Sequence, residues 1–195
     1  FTDDVEGFEK AKLRLLNCLH STLAYAGSLA GYETVFDVTS DKYFYQFISK
    51  LASDEIIGSF VPPKELDVKS YSHDIIQRFL NPNIRHLLAQ IAFDGSQKIQ
   101  MRILPTIEDN IALGRSTKLL SLSLVCWFEF ICCALKEGKE IMESVINAGS
   151  QLHTRLKDAN EVFSRIMKFY TGKEGTTAIG ALSRFDKSLF TQKTL

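Results

Sequence analysis

Apolar side chains recur every three or four positions along most of the chain, and strict alternation is scarce, so the sequence predicts helices and almost no strand. The first helix is expected to begin after Thr2-Asp3-Asp4, residues that suit a helix N-terminus and its dipole. It should run to about Gly27, with Ala30-Gly31-Tyr32 ending it. At about 100° per residue from Lys12, the side chains of Phe8, Leu15, Leu16, Leu19 and Leu23 fall in or beside an arc from roughly 320° to 40°, the expected buried stripe. A helix from Asp41 to about Leu51 or beyond follows, then a loop around Gly58, Pro62 and Pro63. Leu66-Asp67 leads into another helix ending near Leu80. Asn81-Pro82 reads as a cap with proline at the first helical position, opening a helix to Phe93 that Asp94-Gly95 stops. Ser96 is expected to cap the next, from Gln97 to about Leu104 before Pro105. Helices over 118–137, 138–148, 151–157 and 161–170 complete the set. With no repeat, low-complexity tract or flexible linker, residues 1–195 read as one mainly α domain.

A chain of 195 residues suits a single domain with a substantial core, and 45% apolar with 24% charged residues is ordinary for such a domain. Lys plus Arg equals Asp plus Glu at 23 each, and no block of like charge occurs, so nothing supports nucleic-acid or polybasic membrane binding. Leu119 to Leu135 is nearly all apolar, but it is short for a membrane span and contains Glu129, Ser121 and Ser123; a buried central helix fits better. The start, Phe-Thr-Asp-Asp-Val-Glu, has neither a basic n-region nor an apolar core, so no secretory signal is expected and the protein reads as cytoplasmic. Cys18, Cys126, Cys132 and Cys133 match no zinc spacing, and adjacent Cys132 and Cys133 are poorly placed to bridge, so reduced, mostly buried thiols and no metal are expected. No Gly-rich turn joins a strand to a helix, and Gly172-Lys-Glu-Gly175 lacks both the third glycine and the strand, so no dinucleotide-binding unit is expected here.

Chemistry concentrates on the first helix. From Lys12, Asn17 falls near 140° and His20 near 80°, placing an amine, an amide and an imidazole along one edge of the core. A proton donor beside two neutral hydrogen-bonding groups suits a carbonyl oxygen that is becoming an alkoxide. Spacing alone favours a solvated helix shoulder over a site. Cys18 lies nearly opposite Leu13 and receives no chemical role. His73, His86 and His153 are isolated in sequence, His86 being placed to line a site because it follows the Asn-Pro motif. Phe44, Phe47, Phe60, Phe79 and Phe93 are expected in the core, and Asp94 at a helix end.

Three runs together carry a resemblance: EKAKLRLLNCLHSTLAYAGSLAGYE from Glu9 to Glu33, Arg78-Phe-Leu-Asn-Pro82, and Gln90-Ile-Ala-Phe-Asp-Gly-Ser-Gln-Lys98. In that order they resemble the C-terminal catalytic domain of the long-chain polyol and uronate dehydrogenases, the mannitol 2-dehydrogenase and fructuronate reductase family, with the similarity fading after about residue 115. The resemblance implies a multi-helical fold like the C-terminal domain of 6-phosphogluconate dehydrogenase. It implies NAD as cofactor, bound mainly by an N-terminal Rossmann domain that family members carry before this segment. The chain then looks like an excised catalytic domain, inactive by itself, with its own nucleotide-binding domain and a small sugar acid or polyol as partners. Lys12 corresponds to the general acid/base, Asn17 to an amide that holds the alkoxide, His20 to a substrate-positioning partner, and Lys98 to a substrate-contacting lysine. A lysine working near neutral pH needs its pKa lowered by desolvation or nearby positive charge, for which Arg14 and the bound nicotinamide are candidates. Gln90 stands where mannitol-oxidising members usually have arginine, which tips the substrate toward a keto-uronate or its aldonate product, with mannitol oxidation as the alternative. Arg102, one turn beyond Lys98, is a candidate carboxylate partner, or else a surface ion pair. The rival reading is a non-catalytic helical interaction module.

Overall fold

The computed structural model describes residues 3–136, and among them the regular structure is helical, with one isolated antiparallel bridge between Thr34 and Leu87. The first rod is α1 (Val5–Lys12), a π turn (Leu13–Asn17) and α2 (Cys18–Leu29). Asp4 caps it, its side chain accepting the Gly7 N–H at 3.0 Å. The rod ends where expected: Tyr32 N–H donates to Gly27 O, Gly31 N–H donates to Ser28 O, and Gly31 takes a φ of 83°, which glycine adopts without steric cost.

Short α3 (Val35–Ser40) was not expected. Thr34 and Asp37 cap it reciprocally, side chain to backbone in both directions. Asp41 caps α4 (Lys42–Lys50), which continues through a second π turn (Leu51–Ile56) and a short 3₁₀ segment (Ile57–Ser59). Asp67 caps α5 (Val68–Phe79).

The helix expected from Asn81 to Phe93 is largely absent. Asn81 spends its side chain on the Asn83 N–H at 3.0 Å, making a turn instead of a helix cap. Residues 84–87 then turn tightly at Arg85, where His86 N–H donates to Ile84 O at 3.0 Å, and lie beside residues 33–35, with Val35 N–H donating to His86 O and Leu88 N–H to Glu33 O. Only α6 (Leu88–Ala92) is helical there. After Asp94, at φ 54°, α7 spans Gly95–Arg102, so Ser96 lies inside the helix rather than capping it. That helix ends before Pro105 as expected, and Pro105 then sits in the first turn of α8 (Leu104–Ala112), a helix the sequence did not predict.

The last described helix, α9 (Lys118–Lys136), is buried from Leu120 through Trp127, and among the described residues no helix is long and apolar enough to cross a membrane. It packs on α2, where Thr22 Oγ1 donates to Ser123 Oγ at 3.0 Å. Phe44, Phe60 and Phe79 are in the core and Phe47 packs against it, whereas Phe93 is 61% exposed, a correction to the expected core set. The helices expected beyond Lys136, His153 and the Gly172–Gly175 loop lie outside the described residues.

Candidate active site

From Cys18 to Gly27 every residue of α2 is buried except His20, so that helix occupies the centre of the domain and opens at one side chain. The π turn just before it governs what shares that opening. Cys18 N–H donates to Leu13 O, five residues back. Such a turn holds one more residue than an α turn, so everything beyond it is turned back by about 100°. Relative to Lys12, Asn17 moves from near 140° to about 40°, and His20 from near 80° to about 340°. Lys12, Asn17 and His20 thus follow one line along the rod more closely than a uniform helix would allow. Lys12 is exposed; Asn17 and His20 are half-buried. Arg14, inside the turn, is buried, and its Nη2 donates to Asp109 Oδ2 on α8 at 2.6 Å. Its charge is therefore paired away from Lys12, contrary to the role the sequence suggested.

The His20 ring stacks on Phe79 of α5 (centroids 4.4 Å apart, planes at 24°) and meets His86 edge-on at 5.8 Å. Burial, then the charges of His86, Arg102 and Arg78, lower its pKa to about 4, so the imidazole is neutral at pH 7. Its Nε2 is buried with no partner. Beside it, Arg102 Nη1 on α7 donates to Ser21 Oγ at 3.1 Å, while Arg102 Nε is buried and unpartnered. Lys98, one turn earlier on α7, donates Nζ to Ile91 O at 3.1 Å, and burial followed by Arg102 lowers its pKa. Tyr25, one turn after Ser21, is fully buried with an unpartnered hydroxyl, and burial raises its pKa. That hydroxyl lies against the start of α7: a Cβ on Gly95 would come within 2.5 Å of it and 2.9 Å of Trp127 Nε1, so glycine is what permits the close approach.

The structure places Arg102 near both His20 and Lys98 and sets Lys12 and Asn17 on the same rod as His20; Gln90, on α6, is exposed. His86 is not isolated, since it meets His20. Arg78 and Tyr25 escaped the sequence reading. Arg78 lies within the Arg78–Pro82 run and offered a signal, whereas Tyr25 looked like an ordinary core aromatic. The charges of Arg102 and Arg78 act on the His20 ring, and Arg102 also acts on Lys98, near which Asp94 is the opposing carboxylate. A neutral imidazole nitrogen beside cationic side chains can hold hydroxyl and carboxylate oxygens. Among the described residues no group of three or more His, Cys, Asp or Glu could hold a metal ion. Burial pushes the Cys18 and Cys126 thiols up to about 12, which keeps them protonated.

Comparison with known proteins adds lineage to this geometry. The family profile described as the mannitol dehydrogenase C-terminal domain matches residues 4–171. The chain is 32% identical over 164 residues to the D-mannonate oxidoreductase of Escherichia coli (strain K12), covering 83% of this chain and 34% of that protein. It is 34% identical over 128 residues to the mannitol 2-dehydrogenase of Pyricularia oryzae, covering 66% and 26%. Pseudomonas fluorescens mannitol 2-dehydrogenase, solved as a ternary complex with NAD and D-mannitol, matches with a TM-score of 0.64 at 32% identity, over 67% of this chain and 26% of that one. The chain spans about a third or less of the length of these relatives. With the helical fold and the signature runs of α1, α2, α6 and α7, the profile match establishes that this chain belongs to the mannitol dehydrogenase C-terminal domain family.

Proposed function

We propose that this chain is the substrate-binding and catalytic domain of a cytoplasmic NAD-dependent oxidoreductase that interconverts a secondary alcohol and a ketone on an acyclic sugar acid. The nucleotide is assigned to an N-terminal Rossmann domain, as the family resemblance implies. When bound, NAD accepts the hydride. The residues of this chain do the rest. Lys12 takes the proton from the hydroxyl, Asn17 and neutral His20 hold the oxygen as its charge changes, and no metal is required. Because Lys12 is exposed, its water has to be displaced by substrate and by the nucleotide-binding domain closing over that face.

The observation that carries this reading is His20: an uncharged ring whose buried Nε2 has no partner, half-buried between the buried residues of α2, with the charges of Arg102 and Arg78 nearby. The cations around it favour a substrate with a carboxylate, received by Lys98 and Arg102, over a neutral polyol such as mannitol. Gln90, where an arginine would mark mannitol oxidation, fits the same preference. The test assays the full-length protein, nucleotide domain included, with NADH against fructuronate, tagaturonate and fructose, and repeats it for Lys12→Ala. The acids should be reduced faster than fructose, and Lys12→Ala should lower turnover by at least ~10²-fold with nucleotide binding hardly changed. Near-normal turnover in Lys12→Ala would refute the acid/base role, and efficient mannitol oxidation with mannonate ignored would restore the polyol reading.

A further inference from the structure

The π turn at Leu13–Asn17 sets the angle between Lys12 and His20, yet nothing within it favours the extra residue: its flanking positions carry no side-chain cap. Besides apolar contacts such as those of buried Leu15, a polar tie leaves the turn through Arg14. It is 6% exposed, and its Nη2 lies 2.6 Å from Asp109 Oδ2, an oxygen that Lys10 Nζ also approaches at 3.9 Å. Glu108 adds a second acidic charge nearby on α8. With Arg14 buried and Asp109 half-exposed, the pair is a poor source of net stability, because desolvation of the guanidinium and solvent screening offset its attraction, but it can fix a register. Were the turn to relax into α-helix, residues before it would rotate by about 100° against those after it. Lys12 would then leave the line of Asn17 and His20.

We infer that the Arg14–Asp109 pair is a positioning device that locks the π turn and so holds Lys12 in register with Asn17 and His20. The inference rests on the acid/base role proposed for Lys12. Arg14 touches no reacting atom; it acts through the backbone that carries the lysine.

The test replaces the pair with apolar groups of similar size, Arg14→Met with Asp109→Leu, in the full-length protein, leaving no charge buried without a partner. The thermal midpoint and the KM values for nucleotide and ketone should stay near wild type while kcat falls about 10²-fold, the scale of a ~1 Å misplacement. Arg14→Lys, which keeps a charge on Asp109 without the planar fork, should recover part of that loss. A purely structural role would not separate kcat from KM at an unchanged thermal midpoint. Wild-type kcat in the double variant, alongside an inactive Lys12→Ala, would overturn this inference and leave the acid/base role standing. An active Lys12→Ala would instead remove the role itself and this inference with it. If the double variant does not fold, folded Arg14→Gln provides the same reading, and undiminished kcat there overturns the proposal.

Discussion

Both π turns bury a charged side chain, but they leave it in opposite conditions. In the turn over Leu51–Ile56, Glu55 is 1% exposed, and its carboxylate accepts from Ser116 Oγ at 2.7 Å, Leu119 N–H at 3.1 Å and Leu120 N–H at 2.9 Å. It caps the first turn of α9, where a negative charge is favoured, and both of its oxygens have donors. In the turn over Leu13–Asn17, Arg14 spends Nη2 on Asp109 and leaves buried Nη1 with no partner. Incompleteness continues beyond that turn, at His20 Nε2, Arg102 Nε and the Tyr25 hydroxyl. Buried polar groups are normally satisfied, so a cluster of unmet ones calls for an explanation. Burial of charge by itself does not distinguish framework from site; what distinguishes them is whether the hydrogen bonds close.

The sharpest way to break this contrast is Glu55→Leu. It strands two buried amides of α9, at about 1–3 kcal/mol each, so stability should fall by roughly 2–6 kcal/mol while turnover per folded molecule holds. Urea denaturation of the full-length protein measures it, and a loss well below ~1 kcal/mol would mean that Glu55 is not the framework charge described. On the other side, Lys98→Met should lower specificity for fructuronate about 10- to 100-fold, the loss of one charge-assisted bond of ~1.5–3 kcal/mol, with little change for fructose. Equal losses on both substrates would mean that Lys98 meets a hydroxyl common to them.

Smaller effects sharpen the boundary. The folded pKa of His20, about 4, lies below its ordinary 6.5. Between those values the unfolded chain holds a proton on this ring that the folded chain does not. Its contribution to stability is therefore complete above about pH 6.5 and declines as pH falls toward 4. Ring-proton NMR should find a midpoint near 4; one near 6.5 would show an open, solvated ring. Tyr25→Phe removes a buried hydroxyl with no partner, so stability should hold or rise by up to about 1 kcal/mol. A comparable loss, read by thermal unfolding, would reveal a partner for that hydroxyl.

The framework was more legible in sequence than the site. Asp4 and Asp67 announce their helices through short acceptor side chains at caps, and Gly31 announces the end of α2 through its backbone freedom. Asn81-Pro82 misled because the same asparagine that can cap a helix can also close a turn, and pairing of residues 84–88 with residues 33–35 decided which. Pro105 was legible only as the end of α7, since proline also begins helices and here opens α8. Neither π turn leaves a local signature, because the inserted residue is held by contacts with distant helices. That is why the arc drawn from Lys12 to His20 was too wide. The pairing of His20 with His86 depends on the turn after α5, where the sequence predicts a helix.

The isolated bridge between Thr34 and Leu87 bears on the order in which the molecule assembles. It holds His86 next to α3, from where it reaches His20, and the Ser21–Arg102 bond spans 81 positions of chain. Closing a loop of that length costs roughly 4 kcal/mol of chain entropy before any contact repays it. Individual helices form in about a microsecond, whereas contacts so distant in sequence wait for the collapse of the whole chain. On refolding, helical circular dichroism should therefore return before substrate binding does, and a variant that loosens residues 84–88 should widen that interval.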